Sequence, residues 1–84
     1  MEEIDLINKL KWQCRRGMLE LDVVLIPFLE QHFNQLSKEN KKLFEQLLEQ
    51  ADPDIYTWIM GYGECNQAAL VPIIDLIRNR MAIA

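Results

Sequence analysis

The chain has 84 residues, 50% of them hydrophobic and 26% charged, with nine Lys and Arg against thirteen Asp and Glu and a formal net charge of −4. A chain this short buries about 60–65% of its unfolded surface and holds one modest core, which excludes an interdomain cleft or a large cofactor fold and makes 1–84 a single domain. The acidic balance repels phosphate backbones, so no nucleic-acid partner is expected. The longest apolar run, Val23 to Leu29, is broken by Pro27 and falls far short of the ~20 residues that cross a bilayer, so a soluble protein without a membrane span is expected.

The start, Met1-Glu2-Glu3-Ile4-Asp5, is acidic where a targeting peptide would be basic, which points to a bacterial cytoplasm. Ile4, Ile7, Leu10 and Cys14 then recur at three- and four-residue spacing and predict a first helix, with acids at its positive end. Arg15 and Arg16 suit the negative end, and Gly17 is the residue that closes it in a left-handed conformation. From Met18 to about Leu36, the positions Leu21, Val24, Leu25, Phe28, Leu29 and Phe33 mark a longer helix, in which Pro27 deletes a hydrogen bond to Val23 and predicts a kink. Ser37 reads as the N-cap of a third helix with the apolar stripe Leu43, Phe44, Leu47, Leu48 and Ala51. Asp52-Pro53-Asp54 is a start signal in which the first aspartate caps and the proline takes the first turn. Ile55, Trp58 and Ile59 should face inward from this fourth helix, and Gly61-Tyr62-Gly63 should end it. A fifth helix carries Leu70, Ile73, Ile74, Ile77 and Met81. It is either capped by Asn66 or, because Pro72 lies deep for a first turn, starts later or bends. There is no period-two alternation and no hairpin turn, so the fold class is all-α, a compact bundle of about five short helices.

Several candidate sites fail on chemistry. Gly61-Tyr62-Gly63 lacks a preceding strand and a third glycine, which removes a dinucleotide fingerprint. His32, the one histidine, is not in a metal-ligand spacing with Cys14 and Cys65, and no orienting third group marks a catalytic thiol, so a helix histidine and two reduced packing thiols are expected. Trp12 and Trp58 sit at helical spacing and read as core or edge anchors. Glu20 and Asp22, two apart on a helix, point about 200° away from each other and cannot flank one glycosidic bond. Lys41 with Glu45 and Lys42 with Gln46 describe a wetted helix face.

The segment Trp12 to Asp22 is less ordinary, because two arginines, a glycine and two acids crowd one helix-helix corner. Two compatible accounts are open. In one, the charges stabilise the helix ends and glycine closes the turn. In the other, the bare glycine lets a partner backbone approach and the ionic groups grip a polar protein surface.

The run Cys14-Arg15-Arg16-Gly17-Met18-Leu19-Glu20-Leu21-Asp22 resembles the Arg-Gly-x-x-Glu signature of the succinate dehydrogenase flavinylation factor (SdhE) family. Pro27-Phe28, Phe33, Leu36-Ser37, Phe44, Leu47-Leu48, Asp52-Pro53-Asp54, Trp58 and Gly63 follow in the family's order, whereas Pro72 and the Ile83-Ala84 end match no motif of it. The resemblance implies a five-helix, non-catalytic assembly factor. Such a factor binds the flavoprotein subunit of succinate dehydrogenase, or of fumarate reductase, and promotes covalent attachment of FAD to a histidine of that client. FAD then belongs to the client, this chain binds no cofactor or metal stably, and His32 has no assigned part. The signature places partner contacts at Arg16, Gly17 and Glu20, with Arg15, Met18 and Asp22 as neighbours, and a positioning role is favoured over polarisation of the flavin. The client's identity and the oligomeric state are not legible, a monomer being favoured. Three rivals are an antitoxin-like protein-binding module, a label this family has also carried, a small helical nucleic-acid-binding protein and, weakest, a small enzyme.

Overall fold

The spacing of apolar residues sorts each helix into a dry and a wet side, and the dry sides meet in one core. The computed structural model describes residues 2–81, with side chains from Asp5 onward. The acids Glu2 and Glu3, the inward placing of Ile4 and the Ile83-Ala84 end therefore lie outside the described side chains. Helix α1 (Glu2–Cys14) buries Leu10 and Cys14 completely and lays Leu6 and Ile7 at the core's edge. It stops at Cys14, earlier than a glycine-closed helix would, and Gly17 supplies a left-handed residue (φ +79°) within the connection.

Helix α2 (Leu19–His32) buries Leu21, Val24, Leu25, Phe28 and Leu29. It is shorter than the sequence predicted: a single 3-10 turn, Phe33–Gln35, replaces its last stretch, and Leu36 leaves in extended conformation with its N–H donating to the Phe33 carbonyl at 3.1 Å. Pro27 does not end the helix. The Val23 carbonyl that loses its partner belongs to a residue 56% exposed, where water can satisfy it.

Ser37 caps α3 (Lys38–Leu48) as predicted, its hydroxyl accepting from the Asn40 N–H at 3.1 Å. Phe44, Leu47 and Leu48 are buried and Leu43 packs beside them. Ala51, assigned to this stripe from the sequence, instead lies beyond the helix end, exposed, as the residue preceding α4 (Asp52–Met60). Pro53 does sit in the first turn of α4, and Ile55, Trp58 and Ile59 do face the core. Helix α4 closes at Gly61 (φ +78°), where the Arg78 guanidinium comes within 2.7 Å of where a Cβ would stand. The left-handed backbone is what calls for glycine there, since the tip of the flexible Arg78 side chain could move aside.

The last helix resolves the alternatives left by Pro72. A 3-10 turn, Ala68–Leu70, leads into α5 (Val71–Arg80), so the helix starts late and the proline falls in its first turn. Asn66 is not its cap. Gln67 precedes the 3-10 turn without a capping bond and donates its side-chain amide to the Gln50 side chain at 2.7 Å.

Leu70, Ile73, Ile74 and Ile77 close the core, and Met81 packs against it. At its centre the rings of Phe28, Phe33 and Phe44 meet, with centroids 5.4 Å apart for Phe28 and Phe44 and 5.8 Å for Phe33 and Phe44, in tilted geometry. No polar or charged residue is buried among those described. The fold is an all-α bundle of five helices, without a strand among the described residues.

Candidate functional site

The corner between α1 and α2 is built on Arg16. Its backbone N–H donates to the Asp22 carboxylate at 3.0 Å, so an acid of the first turn of α2 reaches back across the corner. Its guanidinium turns inward. One terminal nitrogen donates to the carbonyls of Gln13 (2.9 Å) and Leu48 (2.8 Å), the other to that of Gln50 (2.9 Å), and Nε donates to the Asp52 carboxylate. A single planar cation therefore satisfies carbonyls at the ends of α1 and α3 and meets the acid that opens α4. Asp52, expected from the sequence to be an N-cap, has no capping bond and is spent on this ion pair instead. The Arg16 side chain keeps only 15% of its exposure.

With the guanidinium anchored, the backbone passes through Gly17 in the open. A Cβ built there would meet nothing within 4 Å. Arg15 and Glu20 are exposed on either side, Asp22 is half-buried at its bond to Arg16, and Met18 is half-buried against the core. The sequence-predicted contact residues thus divide: Arg15, Gly17 and Glu20 face solvent, while Arg16, Asp22 and Met18 hold the corner in place.

Beside them lie exposed apolar groups that the sequence reading missed. Trp12, read as a core or edge anchor, is 75% exposed, and the Arg15 guanidinium lies 5.9 Å from its ring centroid. Leu19 and Val23, one turn apart on α2, are 71% and 56% exposed. The signal was present, since Trp12 lies about 200° round the helix from both Leu10 and Cys14, and Leu19 about 200° from Leu21. Glu20 is also close enough to Tyr56 of α4 for its charge to act there. The Tyr56 hydroxyl is raised above the usual phenol range, first by its hydrogen bond with Tyr62, then by the Tyr62 charge, burial and Glu20. The two tyrosine rings meet edge to face at 5.6 Å, and Tyr62 is exposed.

The groups considered for nucleophilic chemistry are engaged in packing or hydrogen bonds, Cys14 at the corner itself. Burial pushes the Cys14 thiol up to about 12, the opposing effect of the Arg16 charge being smaller. His32 packs in tilted geometry against Phe28, with ring centroids 5.6 Å apart. Cys65 is half-buried, its Sγ accepting from the Gln67 N–H at 3.4 Å. Among the described residues no group of three or more His, Cys, Asp or Glu side chains could hold a metal ion, and no helix is long and apolar enough to cross a membrane.

Residues 8–81, which include this corner and all five helices in whole or part, match the protein family described as the flavinator of succinate dehydrogenase. The chain belongs to this family. It is similar to the FAD assembly factor SdhE of Vibrio cholerae, 48% identical over 69 residues that cover 82% of this chain and 80% of that protein. Similar proteins of the same name occur in Colwellia psychrerythraea, 43% identical over 79 residues (92% of this chain, 87% of the relative), and in Idiomarina loihiensis, 41% identical over 76 residues (90% and 84%). Family membership agrees with the resemblance drawn from the Arg16-Gly17-x-x-Glu20 signature and gives the corner its context.

Proposed function

We propose that this chain is a cytoplasmic, non-catalytic FAD assembly factor, which docks on the flavoprotein subunit of succinate dehydrogenase, and on that of fumarate reductase, and promotes covalent attachment of FAD. The open Gly17 corner, flanked by Arg15 and Glu20, carries the reading. A backbone with no side chain in front of it lets another main chain lie close, and the charges on either side set its register. FAD and the histidine it bonds belong to the client. The chain's contribution is orientation: holding a mobile client in the arrangement where flavin and histidine meet lowers the barrier without any acid, base or nucleophile of its own. Arg16, Asp22 and Met18 act as positioning residues, because their polar or apolar groups are turned to the chain itself.

Gly17→Arg tests the reading. The new side chain would project into open space, so the fold should survive at a cost of about 1–2 kcal/mol for a non-glycine residue in the left-handed region. The expected result is a helical circular-dichroism spectrum with covalent flavin on the client subunit lost, read as flavin fluorescence in a denaturing gel. Normal flavin content in cells carrying the folded variant would show that the corner is not the docking site.

A further inference from the structure

The outer face of α1 is chemically unlike the rest of the molecule. From Leu6 to Leu19 the chain carries Lys9, Lys11, Arg15 and Arg16 and no acid, although thirteen acids occur in the whole sequence. The Arg16 guanidinium is engaged internally, but Lys9, Lys11 and Arg15 are all exposed. Trp12 stands among them, and Asn8, Lys11, Trp12 and Arg15 line a shallow depression of about 320 Å³. Arg15 lies near enough to the indole for a cation-π contact, which limits the ring's freedom before anything binds. Tryptophan and arginine are both among the residue types enriched where a few side chains dominate binding energy. Asp5, one turn before Asn8, marks the end of this face.

We infer that this face is a second contact on the client flavoprotein, continuous with the Gly17 corner through Arg15, and that it receives an acidic surface segment. Trp12 seats the segment's apolar part while Lys11 and Arg15 face its carboxylates. The inference rests on the docking reading above and adds to it the chemistry of the partner. Charge complementarity selects an acidic polypeptide: three exposed cations make a small positive footprint, which suits one acidic segment, while the acids of the remaining chain oppose an extended polyanion such as duplex DNA.

The test is a titration of the full chain against the purified flavoprotein subunit at about 50 and 300 mM salt, for the unmodified chain, Trp12→Ala, Arg15→Glu and, at an exposed position of α3, Lys42→Glu. Because these side chains are exposed, circular dichroism should show unchanged folding. Trp12→Ala should weaken binding about tenfold at both salt concentrations, Arg15→Glu should weaken it more at low salt than at high, and Lys42→Glu should bind as the unmodified chain does. Client binding within about twofold of the unmodified chain for Trp12→Ala and Arg15→Glu, alongside loss of binding by Gly17→Arg, would overturn this inference and leave the corner reading standing on Gly17 and Glu20, without Arg15. No binding by the unmodified chain would overturn both. Trp12-dependent binding of a duplex DNA probe without any Trp12 effect on the client would assign the face to a different class of partner and overturn it as well.

Discussion

At Arg16, one side chain decides whether the corner exists. Its guanidinium answers carbonyls from Gln13, Leu48 and Gln50 and the carboxylate of Asp52. Methionine at this position would keep much of the stem's packing and lose every one of those bonds, leaving the Asp52 carboxylate and partly covered carbonyls without their donor. Arg16→Met should therefore destabilise the fold by about 2 kcal/mol, seen as a urea midpoint lowered by about 1–2 M at unchanged slope. Arg16→Lys should recover little of it, because an ammonium cannot present the planar fork that reaches four acceptors. A midpoint unmoved by either change would show that the tie contributes nothing. Gly17 illustrates a different dependence, since what matters there is a side chain's absence rather than its bonds.

Among the elements, α3 was the most legible from sequence and the α3–α4 junction the least. The Ser37 cap and the Phe44, Leu47, Leu48 stripe are local signals, set by residues within one or two turns of each other. Ser37→Ala should cost about 1 kcal/mol, and Ser37→Asp should restore most of it, both measurable by thermal unfolding; equal stability of all three would remove the cap from the account. Asp52 misled because its local pattern is that of a cap, while its actual partner lies 36 residues away. Nothing in a spacing argument weighs a long-range guanidinium against a nearby N–H. The α2 end was overestimated for a related reason: Phe33 keeps the helical register and is fully buried, yet the backbone around it tightens into a 3-10 turn to reach the Ser37 cap. The signature residues were legible by type and place, but not by direction. That Arg15 points out and Arg16 in depends on where α3 ends, which no pattern within residues 12–22 records.

For the whole molecule, a domain of this size has a stability of about 4–12 kcal/mol, so the state of one buried group is felt globally. Cys14 is fully covered, and burial holds its thiol at about 12 against an ordinary 9.0. Between those values the unfolded chain releases the thiol proton while the folded chain retains it, so the unfolded state binds fewer protons and stability falls as pH rises from about 9 toward 12. The stabilisation from the neutral buried thiol is fully present below the unfolded value. Urea midpoints at pH 8 and pH 10.5 should show this decline, and Cys14→Ala should show a smaller one, because tyrosines and lysines titrate alike in both chains. Equal declines would mean that the thiol ionises as easily inside as outside.

The Arg16 tie also governs what the stretch 49–51 can tolerate. Two of the oxygens it gathers, at Leu48 and Gln50, are main-chain atoms, indifferent to the side chains that carry them. What they require is a fixed spacer. An insertion or deletion there would swing at least one acceptor out of reach, so substitutions in this short link should be mild while a change in its length would be transmitted to the distant elbow at Gly17.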